Sequence, residues 1–400
     1  MKRAMREKCR GIAVASLALC ALAAPVGWTL RSPAAHRRER VMHRTAEHRG
    51  KQFIGLTDIA ADFHEVESGM PGQRVLLSRD VRLDIPANEL VICWNPSATT
   101  GTGMQVEVRA TSGDHTTGWY VMGRWSPDAV SFPRESVNSQ SDADGHVSTD
   151  TLDLTHAAQS VQLRVTLYAS SGGTFPTLKF AGICAADTTQ TVEPLESDKS
   201  VWGSEIVVPS RAQYGWPDQS GWCSPTSVTM VLAYWSGRLS RSELDMPVPT
   251  VAHAIYDKVY DGTGNWPFNT AFAGSFDGIR AYVTRLSDIR ELEEWVAVGI
   301  PPVVSVSYDL LNGKPKDEDP GHLMVCDGFT ATGDIVLNDP AHHPDRGQNA
   351  RRIFPRANFE RAWKRSKDLV YLIYPENAPV PHDRYGHWLT APGHAPDQAP

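Results

Sequence analysis

Cysteine is scarce in this chain: six among 400 residues, with Cys9 and Cys20 confined to the first twenty. The four that remain, Cys93, Cys184, Cys223 and Cys326, cannot staple a chain of this length, so stability must come from apolar cores. A hydrophobic share of 41% is enough to build them, and the length suggests two domains. A surplus of positive charge is also lacking. The formal net charge of −7 argues against a nucleic-acid partner, which needs a basic face. Nor is there a second ligand pair at metal spacing. His342 and His343 follow His322 at a distance that invites a zinc reading, but nothing completes the set, and no metal or other cofactor is expected.

What is present begins with a leader. "MKRAMREKCR" is a basic stretch, "GIAVASLALCALAA" an apolar one, and Ala21-Leu22-Ala23 a small-x-small cleavage pattern, so residues 1–24 read as a signal peptide. Leu19 is too large for a lipobox ahead of Cys20. An uncleaved anchor running on through Trp28 and Leu30 is opposed by Arg31, Arg37, Arg38 and Arg40 on its far side. Without the leader's five bases and one acid the net charge falls to about −11. The mature protein is therefore expected outside the cytoplasm, in the periplasm or secreted, and membrane-bound only if the leader stays.

Residues 25–52 read as a polar linker. From 53 to 185, "GMQVEVRAT", "GWYVMGRW" and "VQLRVTLYAS" alternate apolar and polar side chains between turn residues, which predicts an all-β sandwich. Cys93 and Cys184 flank this region and are the pair that a disulfide there would join. "SDADGHVSTD" (Ser141–Asp150) has the Asp142, Asp144 and Gly145 of a calcium loop, but lacks a third spaced oxygen ligand and a closing Glu, and reads as a hairpin turn. Arg134 and the tryptophans here are candidates for a sugar or peptide surface, or simply core. Residues 186–200 are polar and aperiodic, a second linker. From 201 to 375, helices come first: Val228, Val231, Leu232 and Trp235 form one apolar face, and Asp288 with Glu291 suggests a capped helix after Ser287. Strands follow at 302–309, 322–329, 334–340 and 369–375, an α+β order. The tail, 376–400, is too poor in apolar residues to build a core and reads as disordered.

Cys223 stands where the second domain's first helix begins, with Ser224 as a candidate N-cap and Pro225 suited to the first turn. The positive end of a helix lowers a thiol's pKa, which is what a cysteine nucleophile needs. Two strands flanking the turn "TATG" (Thr330–Gly333) make a hairpin that sets His322 opposite Asp339, within a residue or two. An imidazole and a carboxylate at one end of a hairpin are a base and its orienting group. Each of the three has an ordinary structural reading alone: a small packed residue, a strand-end histidine, an Asp-Pro turn. Their conjunction in this order favours chemistry. Trp222, Trp266 and Tyr308 are the candidate substrate-lining residues. Cys326, four residues beyond His322 on one strand face, reads as a buried core thiol.

The segments "VPSRAQYGWPDQSGWCSPTSVTMVLAYW", "GIPPVVSVSYD" and "PGHLMVCDGFTATGDIVLNDPA" resemble the C39-like branch of the papain-like cysteine peptidases. The resemblance covers most of residues 207–375. It implies a papain-like fold with Cys223 as nucleophile, His322 as general base and then acid, and Asp339 as orienting residue. It also implies an oxyanion-hole glutamine ahead of the cysteine, Gln213, with Gln219 as rival. Ser224 departs from the glycine often found after the cysteine. The expected activity is hydrolysis of peptide bonds through a thioester, on a peptide or protein substrate of the cell envelope or beyond. The alternatives are a transglutaminase-like acyl transferase and a non-catalytic surface-binding protein. An NlpC-type amidase is less suited, since its third residue is usually a second histidine.

Overall fold

The computed structural model describes residues 47–389, apart from 218, 220, 319 and 320. The leader and most of the first linker lie outside the described residues, as do 390–400 of the tail. No helix among the described residues is long and apolar enough to cross a membrane.

The N-terminal region is rich in strands, as the alternating segments predict. They are β1 (Lys51–Leu56), β2 (Phe63–Val66), β3 (Gln73–Ser78), β4 (Val81–Ser97), β5 (Gly103–Ser112), β6 (His115–Thr116), β7 (Tyr120–Trp125), β8 (Gly145–Ser148), β9 (Thr151–Tyr168) and β10 (Thr177–Ala186), with one helical turn, α1 (Ile59–Asp62), between β1 and β2. They form one continuous antiparallel sheet in which β1-β10-β4-β9-β3-β2 run side by side and β5 and β8 also pair with β9. β4 and β9, 17 and 18 residues long, join all of these strands into that one sheet. The first part of β9 pairs with β8 and β4 and the last with β3 and β5. Register breaks around Ala87 mark the bulges at which the paired strands bend.

Burial along β4 explains how this region joins the next. From Glu89 to Pro96 every residue is buried, so the strand is covered on both faces. Leu90, Ile92 and Trp94 enter the core of the N-terminal region, while Val91 and Cys93 enter the other core. β10 divides the same way, with Ala181 and Ile183 on one side and Phe180 and Cys184 on the other. Asn95, on the second face, bonds the backbone of Ala281 twice, its amide donating to the carbonyl and its oxygen accepting from the N–H, as a strand would. Phe268 crosses in the opposite sense, into the N-terminal core; a Cβ on Gly123 would stand 2.8 Å from its ring.

The second region has six antiparallel strands in the order β11 (Ile279–Arg285), β16 (Leu369–Pro375), β12 (Val303–Val306), β13 (His322–Phe329), β14 (Ile335–Asn338) and β15 (Arg351–Phe354). Its helices are α2 (Cys223–Leu239), α3 (Val248–Ile255), α4 (Trp266–Ala273), α5 (Ile289–Ala297), α6 (Tyr308–Leu311) and α7 (Arg356–Trp363). α2 is buried along nearly its whole length, beyond the expected stripe, and Ser227 Oγ ties it to the Leu323 carbonyl of β13 at 3.1 Å. α5 is capped by Asp288, while Glu291 reaches back to the Ser287 N–H rather than to that of Asp288.

The described part of the tail, 376–389, is packed, which corrects the expectation of disorder. Trp388 is 2% exposed and meets Trp295 edge-on at 5.6 Å. His387 is fully buried between the Glu291 carboxylate and the His48 carbonyl. Asp383 accepts from the backbone N–H groups of Gly386, His387 and Trp388. A segment unable to build its own core can still complete another. The second linker, too, is tied down, through Leu195 N–H to Asp288 and Asp198 N–H to Glu293.

Candidate active site

α2 starts two residues earlier than the Ser-Pro pair suggests. Cys223 is its first residue and Trp222 its N-cap, with no side chain bonding the free N–H groups of the first turn. Ser224 is therefore not the cap; its hydroxyl meets Tyr371 Oη at 3.0 Å. An uncapped helix start leaves backbone donors for a thiolate, and the Ser224 and Leu323 N–H groups both stabilise the Cys223 sulfur.

β13 begins at His322, opposite Val306 of β12, and α2 lies against this strand, which brings the imidazole to the thiol. The hairpin register differs from the expected one: Val325 faces Asn338 and Phe329 faces Ile335, with a bulge at Asp327. The contact forms all the same. His322 Nε2 donates to Asp339 Oδ1 at 2.9 Å, just beyond the end of β14. Asp339 is held in turn by the Ala341 N–H at 2.9 Å, Arg352 Nη1 at 2.9 Å and Tyr308 Oη at 3.1 Å. With Nε2 committed to the carboxylate, Nδ1 is the nitrogen left for sulfur.

Protonation follows from these contacts. Burial would push the Cys223 thiol up, but the hydrogen bond and charge of His322, with the two N–H groups, carry it below the ordinary value. Burial would lower His322, yet Asp339 and the Cys223 sulfur raise it to about 10. Asp339 is buried too, and His322, Ala341 and Arg352 hold it down at about 2. The Cys223 and His322 shifts both run in the direction that favours proton transfer from the Cys223 sulfur to the His322 ring, with an ionised carboxylate behind it.

The other sequence candidates divide. Gln213 is buried beside the aspartate loop, its N–H bonded to the Pro340 carbonyl at 2.9 Å and its Oε1 without a partner. Gln219 is exposed, and its side-chain oxygen closes a turn onto Trp216 N–H. Trp266 lines the cleft with Cys223. Trp222 does not stand open to substrate; it is buried with Val248, Ala252 and Trp216. Tyr308 packs edge-on to His322 at 4.8 Å and bonds Asp339 at 3.1 Å. Arg352 escaped the sequence reading because β15, which carries it, has no clear alternation. His342 bonds the Asp339 carbonyl through Nδ1 and His343 stacks on Tyr214. Cys326 is fully buried, and burial holds its thiol well above the ordinary value. Cys93 faces Gly182 and Cys184 faces Val91, so the two lie diagonally on adjacent strands and both are free thiols.

A cleft of ≈ 640 Å³ opens at Cys223, and the N-terminal region forms part of its wall. Tyr260, Trp266 and Leu323 line it, together with Thr149, Asp150 and Thr151 in and beside the β8–β9 turn. Two buried links fix that geometry. Arg134 donates to the carbonyls of Tyr256 and His253 across the junction, so it pins a loop and is not a surface residue. Asp257, fully buried, accepts from Ser136 of the N-terminal region and from Val259, Tyr260 and Asn265. Asp142 is spent on the N–H groups of Asp144 and Gly145, the Asx turn of a hairpin.

Comparison with known proteins agrees with this division. Residues 72–186 match the Peptidase C39 N-terminal domain, and residues 205–371 match the Peptidase_C39 like family. Among solved structures, one assigned as a C39-like peptidase from Bacillus anthracis is similar at 18% identity and a TM-score of 0.33, over 42% of this chain and 96% of that one. No curated protein matches the chain.

Proposed function

Since these two matched regions make the chain a member of the C39-like peptidase family, we propose that it is an exported cysteine peptidase hydrolysing peptide bonds through Cys223, His322 and Asp339. The observation that carries this reading is the 2.9 Å His322–Asp339 bond directly behind a thiol whose pKa is depressed. The packing of α2 against β13, which sets the Cys223 sulfur beside the His322 ring, supports a papain-like reading of this domain.

In this mechanism the Cys223 thiolate attacks the scissile carbonyl carbon. The oxyanion takes hydrogen bonds from the Cys223 N–H and the Gln213 side-chain amide. His322 gives its Nδ1 proton to the departing amine as the C–N bond breaks, leaving a thioester on Cys223. The neutral imidazole then takes a proton from water, which attacks the thioester, and the acid leaves as the thiolate–imidazolium pair re-forms. Asp339 stays ionised throughout and keeps the ring oriented. The substrate is a peptide or protein met outside the cytoplasm.

The epoxide E-64 tests this reading. One equivalent is expected to add to Cys223, seen by peptide mapping, and to stop hydrolysis of an unfolded protein substrate in proportion. Hydrolysis that continues after complete modification of Cys223 would sink the proposal.

A further inference from the structure

Beside the thiol, the wall contributed by the N-terminal region carries a carboxylate that no cation answers. We propose that Asp150 forms a subsite selecting a cationic side chain, lysine or arginine, in the substrate segment seated next to Cys223. The inference rests on the peptidase reading above and adds the substrate class to it.

Asp150 follows Thr149, whose φ of 59° makes the tight β8–β9 turn, and this turn presents the carboxylate to the cleft. Its Oδ2 accepts the Trp266 N–H at 2.7 Å and its Oδ1 the Thr151 hydroxyl at 3.2 Å, which leaves lone pairs on both oxygens. The residue is 6% exposed and belongs to no ion pair among the described residues. Asp150 and Cys223 line the same cleft, so the two sites adjoin.

The other charges of the cleft are already matched. Glu89 pairs with Arg285 and Lys367, Asp153 with His146, and Arg365 with Asp317. Asp261 takes the Tyr256 hydroxyl. Burial pushes the Asp150 carboxyl up to about 7 against the Trp266 N–H, Thr151 and the more remote Arg285. A carboxylate in that position gains most from a bound cation. Tyr260 and Trp266 add aromatic surface at the same place, which favours an ammonium or guanidinium further. The rival focus is Arg285, whose Nε and Nη1 lack hydrogen-bond partners; if it led, the cleft would prefer an anion.

The test uses the full chain and does not depend on turnover. Cys223 is modified with the trimethylammonium-ethyl and sulfonatoethyl methanethiosulfonates, each rate divided by that reagent's rate with a free thiol. The cationic reagent is expected to react about 10-fold faster or more. Asp150→Asn, which keeps an oxygen for the Trp266 N–H, is expected to collapse that ratio; Asp153→Asn is expected to keep it. The melting temperature of each variant checks the fold. In parallel, matched peptides carrying lysine, norleucine or glutamate at one position are expected to be cleaved in that order of kcat/KM, and Asp150→Asn to level the first two. A ratio near one, a preference for the anion, or a ratio unchanged in Asp150→Asn overturns the subsite. Cleavage of none of the peptides with the expected reagent ratio intact overturns the peptidase reading and leaves the subsite standing.

Discussion

Cys223→Ala is expected to abolish peptide hydrolysis, lowering kcat/KM on the order of 10⁵-fold or more while the fold persists. No other thiol among the described residues can take over. Cys93, Cys184 and Cys326 are buried, and burial holds each of their thiols above the ordinary value. His322 and Asp339 remain bonded in the variant, so its melting temperature should move little. Members of such a set act as a unit, so adding His322→Ala to Cys223→Ala should cost almost nothing more. Assays of both variants on one peptide check this. Residual hydrolysis within 10³-fold of wild type would mean that sulfur is not the nucleophile.

Glu89→Ala is expected to destabilise the protein by about 3–5 kcal/mol. Glu89 and Arg285 are each 2% exposed in side-chain terms, and they pair across the junction of the two regions. Removing the carboxylate leaves a buried guanidinium whose Nε and Nη1 have no partner even now. Lys367, the second cation on Glu89, is 45% exposed and contributes far less. Arg285→Met combined with Glu89→Leu should be milder than Glu89→Ala alone, because no charge is then stranded. Urea unfolding of the three proteins measures this. The wild type is expected to unfold in one transition, since Val91, Cys93, Phe180 and Cys184 of the N-terminal region belong to the second region's core. Two well-separated transitions would contradict the shared core.

The grouping of Cys223, His322 and Asp339 was legible in the sequence because it is written locally. A cysteine just ahead of Pro225 marks a helix start, and a hairpin brings a histidine to an aspartate even when the register is two residues off. The elements that support the site were less legible. Tyr308 and Trp222 are large aromatics near the site, and sequence assigns them a neighbourhood but not a direction. One points to Asp339 and the other into a small cluster. Arg352 reaches Asp339 from a strand whose existence its residues hardly announce. The two-faced burial of β4 hides behind "LVICWNP", where a continuous apolar run looks the same whether one core or two receives it. Trp388 likewise carries no local sign that its partner is Trp295, over ninety residues away. Contacts of that kind belong to the whole fold.

The central claim is that Cys223 rests as a thiolate paired with the imidazolium of His322. The most direct test is the rate of Cys223 alkylation by iodoacetamide between about pH 5 and 9, in wild type and in His322→Ala, followed by mass spectrometry. The account predicts a wild-type rate that falls off toward low pH much less than an ordinary thiol's, because the cysteine pKa is depressed and the histidine pKa is raised to about 10. In His322→Ala the rate should fall with pH as an ordinary thiol's does, and be roughly 100-fold slower or more at pH 6. A wild-type rate that climbs through pH 8–9 like a free thiol's, or that is indifferent to His322→Ala, would contradict it.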